Sequence, residues 1–296
     1  MKEVVIISGK GGTGKTSITA ALASLANNTV FADCDVDAAD LHLVLNPVVS
    51  KETDFSGGSR AEIISDKCAG CGICARMCRF DAIKLNGPPN GAIEKTCQVD
   101  PISCEGCKVC VEFCPTDAIS FEPAINGKWF VSDTRFGPMV HARLGIAEEN
   151  SGKLVTLIRK EAKKIAEEQG KDFLICDGSP GTGCPVIASI TGADLVVVVT
   201  EPTLSGQHDL DRVVSLTESF GIQPLICINK ADINPQLSDV IKSEARRKGI
   251  KVIAELPYDD AFTKAQMMKS TLIEYSGGAT TQRLRAMWRE VIYELG

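Results

Sequence analysis

Gly9-Lys10-Gly11-Gly12-Thr13-Gly14-Lys15-Thr16 is the stretch on which the fold of this chain turns. The octet matches G-x-x-x-x-G-K-[ST]. It stands between an apolar run, Val4-Val5-Ile6-Ile7, and a segment that reads as a helix from Lys15 to about Ala26. Strand, glycine-rich turn and helix in that order build a phosphate cradle: the glycines let successive backbone N–H groups converge on phosphate oxygens, and the helix N-terminus adds its positive end. Gly9, Lys10, Gly11, Gly12, Thr13, Gly14, Lys15, Thr16 and Ser17 are therefore candidate nucleotide-binding residues. Lys15 is expected on the β- and γ-phosphates and the Thr16 hydroxyl on Mg²⁺.

Outward from the loop, a second strand is predicted at Thr29–Ala32, ending in Asp33-Cys34-Asp35-Val36-Asp37. Further on, 154–169 has the period of an amphipathic helix, and Phe173–Cys176, Leu195–Thr200 and Leu225–Ile228 are apolar runs of strand length. Continuous apolar strands separated by helices predict an α/β fold, a P-loop NTPase whose mostly parallel sheet carries helices on both faces. The rhythm breaks at Gly57-Gly58-Ser59, which reads as a linker, and resumes only after a cysteine-dense region ending near Glu122. The expected division is a nucleotide domain in two parts, 1–58 and 124–296, with a small α+β module inserted at 59–123.

Eight of the 13 cysteines fall in that insert as two runs, Cys68-x₂-Cys71-x₂-Cys74-x₃-Cys78 and Cys104-x₂-Cys107-x₂-Cys110-x₃-Cys114-Pro115. Zinc sites use paired knuckles, whereas a third cysteine at x₂ followed by one at x₃ is the spacing of a 4Fe-4S ligand run. The first run ends in Cys78-Arg79 where the pattern has proline. The remaining five are Cys34, Cys97, Cys176, Cys184 and Cys227. Cys176 and Cys227 lie in apolar runs and read as buried small hydrophobes.

Composition narrows the classes. With a formal charge of −6 and no block of Lys and Arg, a nucleic-acid partner is not expected. No apolar run approaches the ~20 residues that span a bilayer, so no stable membrane insertion is expected. The apolar positions of the last helix, from Leu284 to Leu295, predict packing on the sheet. The opening residues lack the pattern of a secretion signal, and a cytoplasmic setting, where thiols stay reduced, is the expectation.

Lys10 adds a family signal. Lys-Gly-Gly-x-Gly-Lys-Thr resembles the deviant Walker A loop of the MinD, ParA and nitrogenase iron protein group. The resemblance implies an ATPase in which Lys10 reaches across a nucleotide-sandwich dimer, either a homodimer or a heterodimer with a paralogue. Asp33 to Asp37 resembles switch I of that group, which implies that Asp35 orients the attacking water and Asp33 belongs to the magnesium shell, with Asp37 as the second candidate for either. Phe173-Leu174-Ile175-Cys176-Asp177-Gly178-Ser179-Pro180-Gly181 looks like Walker B plus switch II and implies a magnesium-shell role for Asp177. Asn229-Lys230-Ala231-Asp232 and Pro257 resemble the base-reading segments, with Asn229 facing adenine. Hydrolysis is thereby assigned to Lys10, Lys15, Asp35 and Asp177, and magnesium to Thr16, Asp33 and Asp177.

The cysteine runs resemble bacterial two-cluster ferredoxins, whose crossed ligation implies one cluster on Cys68, Cys71, Cys74 and Cys114 and another on Cys78, Cys104, Cys107 and Cys110. Together the two parts are similar to MinD-superfamily ATPases with an inserted ferredoxin domain, a group described through the ATP-binding part of cobyrinic acid a,c-diamide synthase. The implied cofactors are ATP, Mg²⁺ and two 4Fe-4S clusters. Three functions are compatible with the resemblance: ATP-gated electron transfer to a partner protein, a cluster carrier of the Mrp type serving an acceptor protein, and a spatial organiser like MinD or ParA.

Overall fold

The structure is a computed structural model and describes residues 1–145 and 151–296. The chain opens with β1 (Lys2–Ser8), α1 (Lys15–Ala23), β2 (Thr29–Asp33), α2 (Leu41–Leu45) and β3 (Val48–Phe55). The cysteine-rich stretch forms β4 (Gly58–Ile63), α3 (Ile73–Met77), β5 (Ile83–Gly87), β6 (Thr96–Val99), α4 (Val109–Glu112) and β7 (Ile119–Ala124). Then come β8 (Gly127–Thr134), β9 (Gly137–Leu144), α5 (Ser151–Glu168), β10 (Phe173–Pro180), α6 (Cys184–Ile190), β11 (Leu195–Thr200) and α7 (Leu204–Ser219). The chain closes with β12 (Leu225–Ile228), α8 (Pro235–Arg247), β13 (Val252–Glu255), α9 (Ala261–Met267), α10 (Leu272–Tyr275) and α11 (Ala279–Leu295). Contacts divide these elements between two compact units, one holding Met1–Thr53, Trp129–Arg143 and Ser151–Gly296, the other Asp54–Lys128 with the described residues from Leu144.

The first unit is built on a nine-stranded sheet in the order β13-β12-β11-β1-β10-β2-β9-β8-β3. Its strands run parallel from β13 to β9. β1 lies in the middle, with Val5 opposite Cys176 on one side and Val196 on the other. Every residue of β11 is buried, as both-face coverage requires. The β8–β9 connection at Arg135-Phe136 is too short for a parallel crossover, so this edge is a hairpin. Sequence pattern does not announce that edge: β3 carries Lys51, Glu52 and Asp54, and β8 carries Lys128 and Asp133 among its apolar residues. On α11, Leu284, Met287, Val291 and Leu295 are buried, and Trp288 meets Phe173 edge-on at 5.8 Å. This helix packs as its periodicity predicts, and no helix among the described residues is long and apolar enough to cross a membrane.

The second unit holds two small antiparallel sheets, β4-β7 and β5-β6. Gly58 and Ser59, expected in a linker, instead pair with Ala124 and Pro123 at the start of the β4–β7 ladder. The strand is short and Gly-led, so no alternation marks it. The core of this unit consists of Ala61, Ile83, Ala118 and Ile119 together with Cys68, Cys74, Cys97 and Cys110. Half of these buried side chains are thiols, so the apolar surface available to hold the unit together is small.

Candidate nucleotide site and cysteine cavity

The loop between β1 and α1 takes its shape from glycine. Gly14 has φ 87°, a left-handed conformation, and a side chain there would also collide with the Asn229 amide. Directly after it, Lys15 and Thr16 open α1 and point at Asp177, which the parallel register of β1 and β10 delivers to the same sheet edge opposite Ile6. Lys15 Nζ lies 2.9 Å from Asp177 Oδ1 and 3.4 Å from Asp35 Oδ2. Thr16 Oγ1 donates to Asp177 Oδ2 at 2.7 Å, and Thr19 Oγ1, one turn on, donates to Asp177 Oδ1 at 2.9 Å. Asp33 sits opposite Asp177 across β2 and β10 and accepts from the Asp35 and Leu41 N–H groups, each at 3.2 Å.

Three carboxylates thus share one ammonium group in a buried pocket. Burial alone would depress the Lys15 pKa, and the Asp177 and Asp35 charges outweigh it, holding the ammonium above its ordinary value. Asp33 is pushed well above the usual carboxylate range by burial and then by the neighbouring Asp177 charge. Asp35 is raised mainly by burial, against the pull of Lys15. A pocket so rich in negative charge favours a divalent cation, and the loop above it presents N–H groups to anions. Together they line a cavity of 240 Å³ that includes Gly12, Lys15, Thr16, Asp35, Asp40 and Gln266.

Other expected residues stand elsewhere. Asp37 is exposed, and Pro257 lies in the loop after β13, outside the residues that line the cavity. Asn229 is buried and its Nδ2 donates to Thr13 O at 2.8 Å, tying the end of β12 to the phosphate loop, while its Oδ1 has no partner among the described residues. Asp232 Oδ1 accepts from the Tyr258 N–H at 2.6 Å, which joins the Asn229–Asp232 segment to the turn after Pro257. Lys10 does not point away from its own chain; it is held by Glu201, Thr203 and Ser205. Thr19 and Glu201 escape a reading of motifs, and only Thr19 carries a local signal, four residues after Lys15 on one helix face; Lys230 lies within the Asn229–Asp232 motif, which does not foretell its pairing with Glu201.

In the second unit, Cys78, Cys104, Cys107 and Cys110 line one cavity, whose other walls include Ala61, Phe80, Ile83 and Phe121. The structure therefore brings the last cysteine of the first run to the first three of the second. Cys68 and Cys74 are buried and Cys71 is exposed; burial raises the Cys74 thiol, with Cys68 and Cys71 close enough to add to the effect. The Ala118 N–H donates to Cys114 Sγ at 3.3 Å. Cys97, outside both runs, packs beside Cys74, and burial together with that contact pushes its thiol up to about 12. Among the described residues no three His, Cys, Asp or Glu side chains close on one metal ion. The cavity offers four thiols between apolar walls. Cys176 and Cys227 are buried in their strands, and Cys184 is exposed at the start of α6.

A parallel sheet with the phosphate loop at the end of a central strand, and carboxylates gathered at the same edge, defines a P-loop nucleotide-binding protein. Residues 4–272 match the family described as the CobQ/CobB/MinD/ParA nucleotide binding domain, and the chain belongs to that family. It is 37% identical over 236 residues to an uncharacterised protein of Methanocaldococcus jannaschii, MJ0578, covering 78% of this chain and 79% of that one. Among solved structures it is similar to the septum site-determining protein MinD of Pyrococcus horikoshii in complex with Mg-ADP, with a TM-score of 0.57, 16% identity and coverage of 98% and 95%. It is likewise similar to MinD in the MinC:MinD cell division complex of Aquifex aeolicus, with a TM-score of 0.59, 15% identity and coverage of 99% and 96%. At these identities the structural likeness establishes the fold.

Proposed function

We propose that this chain is a switch ATPase that binds and hydrolyses Mg-ATP between two paired subunits, and that its cysteine-rich unit carries two 4Fe-4S clusters whose electrons pass to a partner protein under nucleotide control. The observation that carries the reading is the presence in one chain of the Lys15–Asp177–Thr16 constellation under a phosphate loop and of a four-thiol cavity. The Mg-ADP found in the Pyrococcus horikoshii neighbour supports the nucleotide half. The thiol-rich core supports the other half, since a unit this small with so little apolar surface needs a staple.

In this mechanism Lys15 exchanges its carboxylate partners for the β- and γ-phosphates, and the Thr16 hydroxyl, which donates to Asp177 here, would help hold Mg²⁺. Asp33 and Asp177 would hold Mg²⁺, which would offset charge on the phosphates, and Asp35 would orient the water that attacks the γ-phosphate. The Gly178–Gly181 segment after Asp177 follows the phosphate through a change in backbone direction. Cys68, Cys71, Cys74 and Cys114 would hold one cluster and Cys78, Cys104, Cys107 and Cys110 the other, and the clusters would supply one-electron chemistry.

Electron paramagnetic resonance of anaerobically purified, reduced protein, with and without Mg-ATP, tests the proposal. Cluster signals that shift on addition of nucleotide are expected. Zinc in place of iron and sulfide, or signals indifferent to nucleotide, would remove the electron-transfer half. A second reading is favoured by the MinD and ParA folds among the neighbours: a spatial organiser that binds a partner as the Aquifex aeolicus MinD binds MinC. It predicts ATP-dependent capture of a protein partner with no change in cluster signals.

A further inference from the structure

Lys10 is anchored within its own subunit by a group that no motif marks. Its Nζ lies 2.7 Å from Glu201 Oε1, donates to Ser205 Oγ at 2.9 Å and to Thr203 Oγ1 at 3.3 Å. The second oxygen of the same carboxylate takes Lys230 Nζ at 3.0 Å, and that ammonium also donates to Gly12 O at 3.0 Å. One carboxylate therefore bridges Lys10 of the phosphate loop and Lys230 beside it. Burial raises the Glu201 pKa, and the hydrogen bonds from Lys10 and Lys230 more than offset this, so the carboxyl stays below its ordinary value and charged.

The mooring is stiff on one side and exchangeable on the other. Glu201 directly follows β11, and Thr203, the cap of α7, accepts from the Gly206 N–H at 2.9 Å, which fixes the backbone that carries the three acceptors. Asp209 of α7 packs against Gly9 so closely that a Cβ on the glycine would overlap it. The Lys10 side chain, in contrast, is 29% exposed, so it can leave without opening a core. When it leaves, Glu201 keeps Lys230, and no buried charge is stranded.

We propose that Glu201 is the positioning residue for Lys10: it holds the lysine on its own chain until a second subunit presents a nucleotide phosphate, and so sets the concentration at which subunits pair. This rests on the paired-subunit reading given above. An ammonium bound to one carboxylate and two hydroxyls is not available to a second subunit, so pairing competes with this site.

The test uses the full-length protein, purified anaerobically, with ATP turnover per subunit and light-scattering mass in Mg-ATP followed against protein concentration. Glu201→Gln should lower the pairing midpoint about fivefold, the size of one part-exposed ion pair. Glu201→Asp should stay closer to the parent. Ser205→Ala, which leaves the Lys230 pair intact, should move the midpoint the same way by a smaller factor, and Lys10→Ala should abolish pairing in every background. A parent protein that pairs with Mg-ATP beside Gln and Ala variants with unchanged or higher midpoints would overturn the role of Glu201 and leave the paired-subunit reading standing. A parent that never pairs would overturn both.

Discussion

Replacing Lys15 with methionine removes the ammonium group that pairs with Asp35 and Asp177 and keeps most of its aliphatic stem. Asp33 and Asp177 are fully buried and Asp35 is 8% exposed, so water cannot take over the role of the cation. Removing one partner of a buried pair costs about 3–5 kcal/mol, because the surviving charge is left uncompensated. The hydrogen bonds from Thr16 and Thr19 to Asp177 survive and place the loss toward the lower end. For a unit of roughly 200 residues that corresponds to a fall in Tm of about 6–20 °C near neutral pH. The sign of the pH dependence follows from the raised carboxylates. Without Lys15, Asp33 and Asp35 bind protons more readily in the folded state than in the unfolded chain, so stability lost at neutral pH returns as pH falls toward the unfolded carboxylate pKa. Thermal melts in chelator at ~pH 7 and ~pH 5 should therefore show a gap between parent and variant that narrows on acidification. Equal melting temperatures at neutral pH, or a gap that stays constant, would show that the carboxylates do not depend on this lysine for charge balance.

Three further outcomes can be measured. Arg135 donates to Glu274 Oε1 and Oε2 at 2.7 and 2.8 Å and to the Leu45 and Val44 carbonyls, and this contact holds the Glu274 carboxyl below its ordinary 4.5. That stabilisation is present above pH 4.5 and is lost as pH falls through the lowered value, so in urea titrations Glu274→Gln should cost about 0.5–1 kcal/mol near neutrality and progressively less in acid. Cys107→Ser should lower iron and sulfide content by about half, whereas Cys176→Ser and Cys227→Ala, in buried strands, should leave both unchanged; equal losses from all three would contradict the assignment. Gly9→Ala puts a Cβ 2.5 Å from Asp209 Cβ and 2.9 Å from its backbone, so α7 must shift, at a cost of about 1–3 kcal/mol readable in chemical denaturation.

What could be read from residue order alone was whatever the chain builds within a few neighbours. The phosphate loop is one: eight contiguous residues between an apolar strand and a helix, shaped by glycine φ angles that need no distant partner. The cysteine runs are another, since ligand spacing is a local count, and the apolar strands announce themselves because burial on both faces leaves no polar position in the first half of β10, Phe173–Cys176, or in the central residues of β11 and β12. The edge strand β3 and its neighbour β8, half polar, stayed hidden.

Tertiary structure alone decided which of these pieces meet. Asp177 reaches Thr16 across 161 residues, and Glu201 reaches Lys10 across 191, because β1 is inserted between β10 and β11. Nothing in either segment encodes the other, and their meeting depends on crossover connections that pack helices back onto the sheet. The gathering of Cys78 with Cys104, Cys107 and Cys110 is of the same kind. Short-range sterics determine local shape, whereas partnership between distant charges is set by the order in which strands pair, a property of the whole sheet.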